Sequence, residues 1–166
     1  MTVRKVIEES AELLGVKLTD KNLEFWLNAY NNVENELSMD YFPLRAVDKV
    51  LIKENEIKYA DLKNKAWRII NVLDFQYDEV KYRLYPEYIE LKKNYNGHYF
   101  FVRYNYIPKE KAIDDNCEYD GRMEQALKYG VCAEYCLMEG NFELANVFSD
   151  KYKIGIKERY LKRKRG

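Results

Sequence analysis

The chain has 166 residues, of which 47% are hydrophobic and 34% are charged, and its formal net charge at pH 7 is +0. This composition is ordinary for a globular protein and excludes a polycation, and no apolar run approaches the length that crosses a bilayer. Three cysteines without a signal peptide indicate a reducing compartment. Sixteen tyrosines are compatible both with protein interfaces and with β-strands, and composition leaves the two open.

Two helices open the chain. Thr2 is a suitable cap for a first helix through Leu14, which Gly15 closes. Thr19 or Asp20 can cap a second helix, and Pro43 lies just beyond its end. The apolar stripe of this second helix contains Leu23, Trp26, Leu27, Tyr30, Val33, Glu34, Leu37 and Tyr41.

The middle of the chain changes to strand periodicity. Residues 53–56 predict a hairpin turn, residues 67–75 a buried strand and residues 80–84 a half-buried strand. Asn96-Gly97 between two apolar runs predicts a second hairpin, and Pro108 ends its second strand. Residues 47–107 are therefore predicted to form a small antiparallel sheet.

Residues 122–160 predict a helix hairpin. Small and apolar residues recur at helical spacing from Met123 to Leu137, Gly140 suits a helix end, and Asn141 can cap the following helix. Small residues at Gly130, Ala133, Ala145 and Gly155 would let the two helices approach closely. Residues 109–121 are predicted to form an exposed connector, and residues 161–166 a basic tail.

Together these elements predict one α+β domain over residues 1–166. A bundle of N-terminal helices (1–42) and C-terminal helices (122–160) encloses a small antiparallel β-sheet subdomain (47–107). The alternative of a tetratricopeptide-like repeat is disfavoured, because such repeats need about three stacked copies and only one helix pair is present.

The sequence contains no catalytic signature. His98 is the only histidine and lies beside a turn, adjacent carboxylates diverge on regular elements, and no phosphate-binding glycine motif occurs. Cys132 and Cys136 share a helix face, but only His98 and Cys117 remain to complete a zinc site. We therefore predict no enzyme, no metal and no cofactor.

The clearest charged feature is the cationic end of the chain. Such a segment can contact phosphate or an acidic protein surface, or it can be a solvated helix end whose cations suit the helix dipole. Its residues are the predicted partner-binding site: Lys157, Arg159, Lys162, Arg163, Lys164 and Arg165.

Two segments carry a family resemblance. Residues 129–145 read YGVCAEYCLMEGNFELA and are followed by Tyr152-Lys153, and residues 32–37 (NVENEL) lead into residues 40–44 (DYFPL). They resemble the closing helices and the early helix of head–tail connector (neck adaptor) proteins of tailed bacteriophages. The order of helices, small sheet and helices is also similar.

The resemblance implies a virion structural protein made in the host cytoplasm. Such connectors form a ring, commonly of twelve copies, between the portal protein and tail or neck proteins, and the ring lines the DNA exit channel. The basic end would then be the segment that docks on the portal, with possible non-specific contact to DNA. Two other functions stay open: a small cytosolic adaptor or regulator that binds a protein, and a nucleic-acid-binding module that uses the basic end.

Overall fold

The computed structural model describes residues 1–165 of the chain and the side chains through Lys164; Gly166, the last residue of the predicted basic tail, lies outside the described residues. The α+β fold class is confirmed: the described residues form four α-helices and six strands in two small antiparallel sheets. The chain divides into two compact units. The helical unit comprises Met1–Leu37 and Glu110–Gly166, and the sheet unit comprises Ser38–Lys109. That all 166 residues form a single domain stays a prediction.

The first helix of the helical unit, α1 (Val3–Leu14), begins and ends where the sequence predicts. The Thr2 hydroxyl accepts a hydrogen bond from the Lys5 N–H at 3.3 Å, and Gly15 ends the helix with a φ of 64°. The second helix, α2 (Leu23–Glu36), begins later than predicted. The predicted cap was wrong because the Asn22 carboxamide accepts from the Thr19 N–H at 2.8 Å and folds the preceding residues into a turn.

The last two helices, α3 (Glu124–Met138) and α4 (Phe142–Arg165), form the predicted hairpin. Gly130 allows the close approach: a Cβ at this position would lie 2.8 Å from the Val33 side chain and 3.0 Å from the Tyr152 ring. The Trp26 and Tyr135 rings stack at 3.8 Å and join α2 to α3. Leu137, which the periodicity places on the buried stripe, is exposed in the last turn of α3.

The segment before α3 is more than an exposed connector. Its side chains are largely exposed, but the Val3 N–H donates to the Asp115 carbonyl at 3.0 Å and the Cys117 N–H donates to the Met1 carbonyl at 3.1 Å. The Asn31 side chain accepts from the Lys111 N–H at 2.7 Å. The segment is therefore anchored to the start of α1 by backbone hydrogen bonds and to α2 through the Asn31 side chain, and the residue pattern reveals neither contact.

The sheet unit contains two three-stranded sheets where the sequence predicts one. The first has the order β1 (Leu44–Leu51), β6 (Tyr99–Ile107), β3 (Lys65–Leu73); the second has the order β2 (Glu56–Lys58), β5 (Tyr88–Leu91), β4 (Tyr82–Leu84). The two sheets share one hydrophobic core. It includes Val50, Ile52, Ile57, Val72, Ile89, Leu91, Phe100, Val102 and Tyr104.

Both predicted turns form, but neither joins two strands that pair as a hairpin. Glu54 and Asn55 take left-handed φ values of 54° and 57°, and Gly97 takes a φ of 83°. The chain crosses from one sheet to the other at both turns, so β1 does not pair with β2 and β5 does not pair with β6. The turns instead bind each other, because the Asn55 N–H donates to the Asn96 carboxamide at 2.7 Å.

The strand predicted as buried is an edge strand. β6 is the only strand that pairs with β3, whose other side has just an isolated bridge from Leu73 to Glu79, and among its residues Val72 alone is buried. Phe75, which the prediction included in this strand, lies in the loop that follows and is exposed. Hydrophobic runs on an edge strand therefore indicated more burial than the fold provides.

Candidate functional site

The predicted partner-binding residues all lie on the last part of α4. Asn141 caps this helix by accepting from the Leu144 N–H at 3.3 Å, and the helix then continues for 24 residues, a length of about 36 Å. Its buried side is formed by Ala145, Phe148, Tyr152 and Ile156. None of the described side chains after Ile156 is buried, so the cationic end extends from the packed part of the helix as an uncovered helical segment.

Two of the predicted cations, Arg159 and Lys162, line a cleft between α3 and α4. Arg122 and Lys151 line the same cleft, so the hairpin brings Arg122, from the turn before α3, together with three cations of α4. Ala126 and Gly155 form part of its apolar floor, where a Cβ on Gly155 would lie 3.5 Å from that of Ala126. The cleft has a volume of about 580 Å³ and contains one acidic residue, Glu158.

Asp120 partly neutralises this group of cations from outside the cleft. Its carboxylate accepts from the Arg122 guanidinium at 2.9 Å. This hydrogen bond is the main cause that lowers the pKa of Asp120, and the charge of Arg159 contributes. Lys151 is also engaged, since its ammonium lies 5.5 Å from the centre of the Tyr129 ring. Arg159 and Lys162 are therefore the cleft cations that this pairing leaves most available.

The other predicted cations accompany an exposed apolar stripe. Val147, Ile154 and Leu161 are exposed and recur every seven residues, which places them on the side of α4 opposite its buried face. Lys157 and Lys164 flank this stripe by helical spacing, and Arg163 lies on the opposite side of the helix, in line with Ala145 of the buried face. The end of α4 thus presents cations around most of its circumference together with uncovered apolar side chains. Arg165 belongs to the helix, and its side chain lies outside the described ones.

This arrangement suits binding to another molecule. Cations beside apolar side chains suit a partner surface that is acidic and partly apolar. The cleft lacks a nucleophile with a base in hydrogen-bond reach, among the residues that the structure describes. Sequence reasoning missed Arg122 because only the packing of α3 on α4 brings it to the same cleft as Arg159, and it missed Lys151 because only the fold shows which side of α4 lines that cleft.

The three cysteines and the histidine lie outside the cleft between α3 and α4. Cys132 is buried, its thiol donates to the Ser10 carbonyl at 3.4 Å, and burial raises its pKa to about 12. Burial also raises the pKa of Cys117 and Cys136. His98 is exposed in the sheet unit and stacks on Phe75 at 5.2 Å. In the described part of the chain, no three His, Cys, Asp or Glu side chains converge to hold a metal ion.

Glu34 is a buried acid in the helical unit. It is 1% exposed, and one carboxylate oxygen accepts from the Tyr30 hydroxyl at 2.7 Å and from the Glu118 N–H at 2.8 Å. Burial raises the pKa of Glu34, although these hydrogen bonds oppose the rise. Because the hydrogen bonds join α2 to the segment before α3, we assign Glu34 a structural role.

Across the described residues, no helix has both the length and the apolar character that a membrane span requires. No protein-family model matches the chain, and comparison with curated proteins finds no similar sequence.

Proposed function

We propose that this protein is a non-enzymatic head–tail connector of a tailed bacteriophage, assembled as a ring between the portal protein and tail or neck proteins in the virion. In this proposal the ring lines the channel through which DNA leaves. The proposal rests on the resemblance of residues 32–44 and 129–153 to connector helices and on the end of α4.

The observation that carries the proposal is the uncovered, cationic helical end of α4. A segment that docks on another protein needs surface that its own fold leaves free, and no described side chain after Ile156 is buried. Exposed Ile154 and Leu161 supply apolar area, and the surrounding cations favour an acidic partner. Since this end continues α4 as helix, docking would order mainly side chains and would cost little backbone entropy.

The first experiment is mass spectrometry of purified particles from the source culture, with copy number measured against a capsid protein. The proposal expects the chain in the particle fraction at a low, ring-like stoichiometry. A chain found only in the soluble lysate would overturn the connector function. A soluble complex with a single partner would then favour the regulator, and a steep loss of affinity for DNA with salt would favour the nucleic-acid-binding module.

The second experiment tests the docking surface. A variant that lacks residues 162–166 should keep the helical circular dichroism of the full chain and bind the portal protein of the same particle more weakly. Its matched control is Lys17→Gln with Lys21→Gln, which removes exposed positive charge from the α1–α2 connection. Equal portal binding by the truncated and full-length proteins would exclude the basic end as the docking segment.

A further inference from the structure

The outer face of the sheet formed by β1, β6 and β3 is aromatic and exposed. β6 is the central strand, and its alternate residues Phe100, Val102 and Tyr104 point into the core. Tyr99 and Phe101 therefore lie on the opposite face, roughly 6.8 Å apart along the strand. Tyr99 is 49% exposed, so a large aromatic surface at the middle of this sheet is left open.

The loop after β3 adds two more rings to this face. Tyr77 stacks on Phe101 with ring centres 4.8 Å apart and planes 16° apart, and Phe75 stacks on His98 at 5.2 Å. Tyr77 is 67% exposed and Phe75 is 52% exposed. Each stacked pair therefore keeps one flat side available to a further ring.

The backbone of Tyr77 is strained. Its φ is 65°, a left-handed conformation that favours glycine and that is unusual for a bulky residue. The Asp74 carboxylate holds the loop by accepting from the Gln76 N–H at 2.8 Å and from the Asp78 N–H at 3.0 Å. A tyrosine at a glycine position, held over Phe101 by a well-bonded loop, indicates that the exposed ring itself has a use.

Two exposed cations lie on this face. Lys49 lies opposite Phe101 on β1, and its ammonium is 4.7 Å from the centre of the Tyr99 ring. Arg103 follows Phe101 on the same face of β6 and is exposed. Among the residues that the structure describes, neither cation forms a salt bridge. One carboxylate lies near them: Asn71 on β3 pairs with Arg103, and its carboxamide donates to the Glu79 carboxylate at 2.9 Å.

We propose that this aromatic face binds single-stranded nucleic acid. The face is defined by Lys49, Phe75, Tyr77, Tyr99, Phe101 and Arg103. Bases stack on exposed aromatic rings whatever their identity, and nearby cations attract the phosphates. Two aromatic residues spaced i, i+2 on the outer face of a central strand are also the arrangement by which sheet-based RNA-binding modules stack bases. The inference goes beyond the connector function and involves none of the cations of α4.

The chemistry favours a nucleic acid over a protein partner. Protein interfaces concentrate their binding energy in side chains that fill closed, desolvated pockets. Here the rings lie on the surface of a sheet, already paired, and Lys49 and Arg103 lie beside them without a salt bridge. Stacked rings and cations without a carboxylate partner complement bases and phosphates together.

The test is fluorescence anisotropy of the full-length protein with labelled 12-nucleotide oligomers of thymidine and of uridine. A 12-mer of abasic sites has the same phosphates without bases and separates stacking from charge. We expect the abasic oligomer to bind at least tenfold more weakly, because each stacked base contributes measurably to affinity. Affinity should also fall with salt, and Lys49→Gln and Arg103→Gln should each reduce the logarithmic salt slope by about 0.7.

Two variants test the rings. Tyr99→Ala and Tyr77→Gly should each weaken binding of the thymidine oligomer about tenfold. Tyr77→Gly is informative because glycine suits the φ of 65°, so the loop should keep its fold while it loses the ring. The control is Phe142→Ala, which removes an equally exposed ring from the start of α4. Removal of residues 162–166 should leave the difference between thymidine and abasic oligomers unchanged.

Three results would overturn the proposal. The first is absence of binding by the wild-type protein at low salt, and the second is equal affinity for thymidine and abasic oligomers. The third is a loss confined to the variant without residues 162–166, which would assign binding to α4. If Tyr99→Ala instead removed the protein from particles while oligomer binding was absent, the face would be a protein interface.

Discussion

Single residues set how closely the helices pack. Gly130 is the clearest case, because there is no space for even one methyl group between the Val33 side chain and the Tyr152 ring. Gly155 lies in the facing helix, where a methyl group would make ordinary contact with Ala126 at 3.5 Å. Substitution by alanine should therefore lower the free energy of unfolding at Gly130 and raise it at Gly155.

We expect Gly130→Ala to lower the free energy of unfolding by about 1–2 kcal/mol, since overpacking costs more than the gain in helix propensity. Gly155→Ala should raise the free energy of unfolding by about 0.5–1 kcal/mol, because the gain in helix propensity is not offset by a steric clash. Urea denaturation followed by circular dichroism at 222 nm measures both. Equal effects of the two variants would contradict the packing described for Gly130.

Glu34 makes stability depend on pH. Burial raises its pKa in the folded state, so the folded protein holds a proton that the unfolded chain releases. The stabilising effect of this proton is fully present below the ordinary glutamate pKa and is lost as the pH rises through the raised pKa of the folded state. At neutral pH the buried charge is therefore a cost.

We expect Glu34→Gln to raise the free energy of unfolding at pH 7 by about 1 kcal/mol, because it removes the buried charge. The difference from wild type should shrink as the pH falls, because protonation of Glu34 then removes the buried charge from the wild type as well. Thermal unfolding between pH 5 and pH 8 measures the change. Glu24→Gln, an exposed position on the same helix, is the control, and a gain of equal size there would contradict the burial argument.

At the scale of elements, α4 depends on a local start signal. Gly140 takes a φ of 75° after α3, and Asn141 then caps α4 through the Leu144 N–H at 3.3 Å. Both features are encoded in consecutive residues, so the corner can form before the helices pack. The corner is therefore the element-level feature that sets the direction of α4.

Loss of this cap should destabilise the hairpin. We expect Asn141→Ala to lower the free energy of unfolding by about 1 kcal/mol, because one amide at the helix start loses its acceptor. Asn141→Ser keeps a capping oxygen and should restore most of the loss. Chemical denaturation of the three proteins side by side tests this, and an Asn141→Ser variant as unstable as Asn141→Ala would show that the cap is not responsible.

At the scale of the whole molecule, each unit has a core of its own. The core of the sheet unit is formed by residues of its two sheets, and α1, α2, α3 and α4 belong to the helical unit. The helical unit is built from two distant stretches of chain, which Asn31 joins through the Lys111 N–H at 2.7 Å. The sheet unit is thus an insertion between two stretches that already bind each other.

We expect the helical unit to fold without the sheet unit. A protein in which about eight glycine and serine residues replace residues 38–109 should retain a cooperative thermal transition at 222 nm, because such a linker easily spans the distance between neighbouring segments. The control carries the same deletion together with Trp26→Ala, which removes the ring that joins α2 to α3 and should abolish the transition. A non-cooperative transition in the deletion protein alone would show that the helices need the sheet unit.

The sequence by itself determined the features that depend on near neighbours. Helix periodicity, the cap at Thr2, and the corner at Gly140 and Asn141 all follow from residues a few positions apart, so local steric and hydrogen-bond preferences suffice to predict them. The cationic end of α4 was predicted in the same way. The tertiary structure alone decided the partners of the strands, because turns at Asn55 and Gly97 reverse the chain without specifying which strand it meets. Long-range packing also placed Arg122 in the same cleft as Arg159, stacked Tyr77 on Phe101 and buried Glu34. These residues are far from their partners in sequence, so only the folded chain brings them together.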